Sequence, residues 1–260
     1  MPTDFQLGSP PHLLILAAIP ALAGALAWWA RRQSAFAVRQ SAVTARRWPA
    51  TARWIACGLG TIIALNELIW YGHVLRSGLF RFPDALPLDL CDLVLWLTVL
   101  ALFTRRSWSF ELSYYWGLAG TSMAVLTPDL SGAFLSYANL KFFLAHGGVV
   151  MAILFLTWSR QARPRSGSLW RAFLLLNGYV LLMALFNALF KTNYLYLCAK
   201  PQAVSLLDYC GPWPWYLLAA DGLALLLFTL LWLPFRSSSR RSGALLRREG
   251  GPCSSRGPLI

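Results

Sequence analysis

Seven blocks of about 17 to 22 apolar residues, almost free of charge, constrain this chain more than any other feature. They run 12–30, 54–75, 87–103, 110–127, 140–158, 172–190 and 213–233. At a rise of about 1.5 Å per helical residue, about 20 residues cross the roughly 30 Å hydrocarbon layer, so each block can span with little length to spare. A β-barrel would show short segments of alternating polarity, whereas these blocks are continuous. With 57% hydrophobic and 13% charged residues and a mean hydropathy of +0.53, a soluble enzyme, a disordered chain and a secreted disulfide scaffold are disfavoured. The expected fold is all-α: a polytopic seven-transmembrane-helix bundle over residues 1–235. The basic segment 236–260, rich in Ser, Gly, Arg and Pro, reads as a disordered cytoplasmic tail.

Basic residues orient the bundle. Arg31, Arg32, Arg39, Arg46, Arg47 and Arg53 fill the first connection, Arg105 and Arg106 the third, Arg160, Arg163, Arg165 and Arg171 the fifth, and Arg236, Arg240, Arg241, Arg247, Arg248 and Arg256 the tail. Arg76, Arg81, Lys141, Lys191 and Lys200 fall on the other side. The positive-inside rule then places the N-terminus outside and the C-terminus in the cytoplasm. The net charge of +13 is therefore topological, with some attraction to anionic lipid, and does not point to nucleic acid. The first block has no Arg or Lys before it, unlike a cleavable signal peptide, and is expected to remain as a helix. The preponderance of Arg over Lys, with many alanines, points to a GC-rich bacterial genome and hence to a bacterial cytoplasmic membrane. In a eukaryote the endoplasmic reticulum would be the expected location.

An ionisable group inside hydrocarbon costs about 2.5 to 3.5 kcal/mol on insertion scales, so each needs a partner, water or a function. Glu67, Asp89, Asp92, His146 and Asp221, with the thiol of Cys91, lie at a similar depth in the outer halves of four different blocks. One by one, each could be paired structurally; residues with independent structural roles would scatter along the membrane normal, so the shared depth points to one outward-facing aqueous pocket. Glu111 is the exception, near the cytoplasmic end of its block, where it can reach water or Arg105 and Arg106.

Cys91 is the candidate nucleophile and His146 the candidate general base, because a thiol must become a thiolate and an imidazole can take that proton. Asp92 either opposes the thiolate by its charge or orients the imidazole as a third triad member. Pro87 is expected to open the third helix, which puts Asp89 in its first turn. Glu67, Asn66, Asp89, Asp221, Asn187, Asn193 and Tyr194 are the candidate substrate-binding residues, with Asn66 and Asn187 as possible oxyanion donors. The alternative for Cys91 is that of a small buried filler. The carboxylates and His146 lack a spacing such as HExxH, so no metal centre is expected. No GxxxxGKS, GxSxG or CxxC element occurs, and no cofactor is expected. His12 and His73 read as interfacial residues. Ala17, Ala21 and Ala25, and Gly120 with Ala124, form small-residue stripes suited to close helix approach, and Gly147 and Gly148 read mainly as packing positions.

The connection from Lys191 to Pro212 is dense in Tyr, Asn and Pro, and is expected to be ordered at the interface or over the pocket. Cys198 and Cys210 lie in it on the oxidising side; spacing alone leaves open whether they bridge, while Cys57 and Cys253 fall near the cytoplasm.

LPLDLCDL (Leu86 to Leu93), LTPDL (Leu126 to Leu130), KFFLAHGG (Lys141 to Gly148) and NYLYLCAKPQAVSLLDYCGPWPWY (Asn193 to Tyr216) resemble the YwaF-like integral membrane protein family, which includes the animal transmembrane protein 164. The resemblance covers nearly all seven blocks and omits the tail. It implies an acyltransferase that moves fatty acyl chains onto lysophospholipids, with Cys91 as nucleophile and His146 as the matching base. At Asp89 the family often carries His or Gln. The reading is thus a membrane-embedded cysteine acyltransferase, or a lipid hydrolase if water is the acceptor, with membrane lipids as substrate and its oligomeric state left open. The alternative is a proton- or cation-coupled carrier or binding protein using the intramembrane carboxylates. A third reading is an interaction subunit that docks a partner on its outer loop.

Overall fold

The computed structural model describes residues 5–38, 49–128, 130, 132–201 and 206–249. Each apolar block forms a helical rod. Six are α-helices: α1 (Pro10–Val38), α2 (Ala50–Arg76), α3 (Leu90–Thr104), α6 (Tyr137–Trp158), α7 (Ser168–Phe190) and α8 (Trp215–Glu249). The fourth block is one continuous rod built from α4 (Ser107–Leu112), a π-helical segment (Ser113–Thr121) and α5 (Ser122–Leu126). No strand occurs among the described residues. Pro10–Gln33, Ala50–Arg76, Tyr137–Trp158, Ser168–Phe190 and Trp215–Arg236 are long and apolar enough to cross a membrane. Leu90–Thr104 is apolar but shorter, about 22 Å at the helical rise.

Successive rods run in opposite directions, as three sets of hydrogen bonds show. At one end, His12 at the start of α1 reaches the Val125 carbonyl at the end of α5 (3.0 Å), and Tyr194, after α7, donates to Pro83 O and Leu86 O, before α3. At the other end, Glu111 of α4 takes hydrogen bonds from Arg165 and Arg171, between and within the start of α7. The first of these is the site end below.

Helix α6 is central, packed on α1, α2, α3 and the fourth rod. Glycine makes two of these approaches close: a Cβ at Gly147 would meet Ile19 of α1 at 3.1 Å, and one at Gly148 would meet Ile63 of α2 at 3.2 Å. The fourth rod is tied to α7 and α8 through Tyr115 Oη to Ser168 Oγ (3.1 Å), Trp116 Nε1 to Ala172 O (3.1 Å) and Tyr114 Oη to Leu231 O (2.9 Å). Outside this core, leucines such as Leu174, Leu181, Leu185 and Leu189 of α7 are widely exposed. A perimeter of that kind is stable only in an apolar solvent, and the protein is an integral membrane protein.

Two expectations need correction here. The packed stripe of α1 is Ala23, Ala27 and Ala30, each fully buried, while Ala17, Ala21 and Ala25 face outward. Alanine is frequent on both faces, so composition does not choose between them. Helix α8 continues through Pro234 to Glu249, so that part of the tail expected to be disordered is helical; residues 250–260, including Cys253, lie outside the described residues.

Candidate functional site

Helix α3 starts later than Pro87. It begins at Leu90, with Asp89 extended (φ −69°, ψ 151°) as its N-cap. A helix from Pro87 would turn the Leu86 and Leu88 carbonyls onto the amides of Leu90 and Asp92. Those carbonyls are taken instead by tyrosines: Tyr179 Oη donates to Leu88 O at 2.6 Å and Tyr194 Oη to Leu86 O at 3.0 Å. Cys91 and Asp92 therefore occupy the first turn of a short helix, where the dipole favours negative charge. The Asp89 side chain makes no cap bond; its Oδ1 faces Leu195 N of the long loop at 3.5 Å.

Glu67 is the most deeply buried carboxylate of the group, 1% exposed, and its partner is Lys141 of α6. Lys141 Nζ donates to Oε1 at 3.1 Å and lies 3.0 Å from Oε2, at an angle too poor for a second hydrogen bond. The ammonium also lies 5.2 Å from the Trp70 ring centroid, and Asn66 Nδ2 donates to Lys141 O at 3.3 Å. Tyr71, one turn after Glu67, touches its carboxylate and accepts a hydrogen bond from Trp96 Nε1 (3.2 Å). Asp92 is close enough to Glu67, Asp89 and Lys141 to feel their charges. Thr121 lies against the Cys91 thiol, and Asp92, Asp89 and Lys141 are close enough to act on it by their charges. Helices α2, α3 and α6 and the end of the π segment thus converge on one polar cluster.

His146 is on the same helix as Lys141 but faces elsewhere. Five residues at about 100° each turn the two side chains about 140° apart around α6. Val149, one turn on from His146, lies beside Gly117 of the π segment. The His146 ring stacks on Phe142, with centroids 4.1 Å apart, and Nδ1 lies 3.0 Å from Phe142 O. A carbonyl only accepts, so Nδ1 carries the hydrogen and Nε2 the lone pair. Among the described residues no hydrogen bond joins His146 to Cys91 or Asp92.

The remaining candidates are anchors. Asp221 accepts from Asn177 Nδ2 at 3.1 Å, pairing α8 with α7. Asn187 holds the start of the loop: Oδ1 accepts from Thr192 Oγ1 (2.7 Å) and Tyr194 N (2.9 Å), and Nδ2 donates to Tyr194 O (2.9 Å). Asn193 folds the loop, accepting from Cys198 N and Ala199 N and donating to Ala199 O. Burial raises the Tyr194 hydroxyl above its usual range. Cys198 is a free, exposed thiol, so the loop carries no Cys198–Cys210 bridge.

Three further side chains depart from expectation. Glu111 is 3% exposed, and it is paired inside the protein by Arg165 Nε (2.7 Å), Arg165 N (3.1 Å) and Arg171 Nη2 (3.0 Å) instead of reaching water. His12, in the first turn of α1, is 1% exposed, with Nε2 on Val125 O and Nδ1 accepting from Gly8 N. Lys141, counted from sequence among connection charges, is the counter-ion of the cluster. Thr121 and Tyr71 also escaped the sequence reading; their signal was a polar atom inside an apolar block. Among the described residues no three His, Cys, Asp or Glu side chains are grouped to hold a metal ion.

Comparison with known sequences bears on this cluster. Residues 7–232 match the profile of the TMEM164 family. The chain belongs to that family. The match takes in every rod and the Asn193–Tyr216 loop, and it stops before Pro234. An uncharacterized protein of Treponema pallidum (strain Nichols) is 35% identical over 186 residues, covering 70% of this chain and 74% of its own. No solved structure matches.

Proposed function

We propose that this family member is an integral membrane acyltransferase that exchanges acyl chains between phospholipids and lysophospholipids through a thioester on Cys91. In this reading all seven rods span, the N-terminus and the site end face outward, and the C-terminus is cytoplasmic. The observation that carries the proposal is the placement of Cys91. It sits in the first turn of a helix only about 22 Å long, among polar groups from four rods. That depth is near the boundary of hydrocarbon and headgroups, where acyl ester bonds lie.

The chemistry follows from the groups present. The Cys91 proton passes to His146 Nε2, through water, since the two residues share no hydrogen bond here; catalytic contacts tighten on substrate binding. The thiolate attacks the ester carbonyl, an S–C bond forms, and the C–O bond to the glycerol breaks. The departing lysolipid oxygen takes the proton from the imidazolium. A second lysolipid hydroxyl attacks the thioester and returns the sulfur to the thiol; water in its place makes the reaction hydrolysis. Asp92, next to Cys91 in the chain, opposes the thiolate by its charge, so the base and the hydrogen-bond donors around the sulfur must offset it.

The carrier alternative asks Glu67 and Asp221 to exchange protons or cations. Each has a fixed partner, Lys141 and Asn177, which favours acyl transfer over transport. The test is acyl exchange between a labelled phospholipid and an unlabelled lysophospholipid, with the purified protein in lipid nanodiscs. Wild-type protein is expected to exchange label, Cys91→Ser to be inactive, and His146→Asn to be slowed by a factor of about 100 or more. Undiminished exchange by Cys91→Ser overturns the proposal.

A further inference from the structure

A threonine inside a helix ordinarily disposes of its hydroxyl by donating to the carbonyl four residues back. Thr98, Thr104, Thr157 and Thr229 do this at 2.8, 2.6, 2.8 and 2.8 Å. Thr121 does not. It is 2% exposed, and among the described residues its buried Oγ1 makes no hydrogen bond of good geometry; the polar group beside it is the Cys91 thiol. The cause is local. Thr121 ends the π segment, where Ser122 N reaches back five residues to Gly117 O, so the α-helical register that brings a threonine hydroxyl onto the carbonyl four residues back is lost there. A buried hydroxyl left without a partner is destabilising, and native structures seldom keep one without a use.

The use is indicated by what lies beside it. This side of the fourth rod lies on the start of α3, a Cβ at Gly120 falling 3.9 Å from Leu90 Cδ2 and one at Gly117 3.3 Å from Val94 Cγ1, and Thr121 sits against the thiol of Cys91, in the first turn of α3, where the helix dipole favours negative charge. We propose that the Thr121 hydroxyl is a hydrogen-bond donor held for the Cys91 sulfur, stabilising the thiolate before attack. Because no carbonyl ties down its rotor, the hydroxyl can follow the charge as it moves from sulfur to the ester oxygen in the tetrahedral intermediate. The π turn is then a device that keeps one threonine from bonding to its own helix. The inference rests on Cys91 being the nucleophile, and it deepens that reading by naming the group that serves the sulfur.

The test needs no lipid substrate, so it can fail independently of acyl transfer. Full-length protein in detergent is alkylated with iodoacetamide over a pH series, and the rate at Cys91 is read by peptide mass spectrometry relative to Cys57. Thr121→Val, which keeps the shape and removes the donor, is expected to slow Cys91 about tenfold or more relative to Cys57, the loss of a hydrogen bond to a charged group. Thr121→Ser, which keeps the donor, is expected to restore the rate. Thr121→Ala carries the same expectation as Thr121→Val and adds no bulk, should the valine variant unfold. An unchanged Cys91 rate in the donor-free variants, or a Thr121→Ser protein as slow as Thr121→Val, overturns the inference.

Discussion

Removing Lys141 tests how the polar cluster is held. The Lys141→Met variant keeps the length and apolar stem of the side chain but deletes the ammonium that lies 3.0 and 3.1 Å from the two Glu67 oxygens. Glu67 is 1% exposed, so the surviving carboxylate has neither water nor another cation to meet it. Breaking a buried pair by deleting one partner costs about 3 to 5 kcal/mol, whereas replacing both partners by neutral groups of similar size is often close to neutral. For a chain of this size each kcal/mol moves the unfolding midpoint by about 2 to 4 °C. Lys141→Met should therefore unfold about 6 to 20 °C below wild type. The double variant Glu67→Gln with Lys141→Met should recover most of that loss. Both follow from thermal unfolding in nanodiscs, read by tryptophan fluorescence. Because the pair is shielded, added salt should change the difference little. If the single and double variants unfold at the same temperature, Glu67 does not depend on Lys141, and the account of the cluster is wrong.

Three further outcomes follow from the packing and loop contacts. Gly117→Ala places a Cβ 2.5 Å from Ile153 Cδ1 and should cost about 1 to 3 kcal/mol as overpacking, with part regained by Ile153→Val, which removes that methyl; thermal midpoints of the single and double variants decide. Glu111→Gln leaves the Arg165 and Arg171 donors facing a neutral amide, and should lower stability by about 1.5 to 3 kcal/mol while leaving Cys91 alkylation unchanged. Tyr194→Phe loses the donor to Pro83 O and Leu86 O; it should cost about 0.5 to 1.5 kcal/mol and speed hydrogen exchange at the amides of Leu90 to Asp92. Unchanged exchange there would show that Tyr194 does not hold the start of α3.

Much of the fold was legible because each rod is a block of apolar residues bounded by charge, and block length converts to helix length. Depth was legible for the same reason: Glu67, Asp89, Cys91 and Asp92 fall at one end of their helices and do converge. Direction around the bundle was not. Asp221 pairs with Asn177 of α7, and although helical spacing alone sets His146 about 140° from Lys141 around α6, it does not say which of the two faces the cluster. Lys141 begins a helix, where sequence does not distinguish a loop charge from a partner for a residue 74 positions away. The π segment has no signature of its own in hydropathy, so the stranded hydroxyl of Thr121 could be found only in three dimensions. The late start of α3 likewise depends on Tyr179 and Tyr194, which are remote in the chain.

The central claim is that Cys91 carries the acyl group. Purified protein, incubated in nanodiscs with a phospholipid bearing an isotopically labelled acyl chain and then quenched in acid, is digested and analysed by mass spectrometry. The account predicts a labelled acyl adduct on the Cys91 peptide that is released by neutral hydroxylamine, as a thioester is, and that is missing in Cys91→Ser. Acyl exchange that proceeds while Cys91 stays unmodified, or an adduct found on another residue, would contradict it.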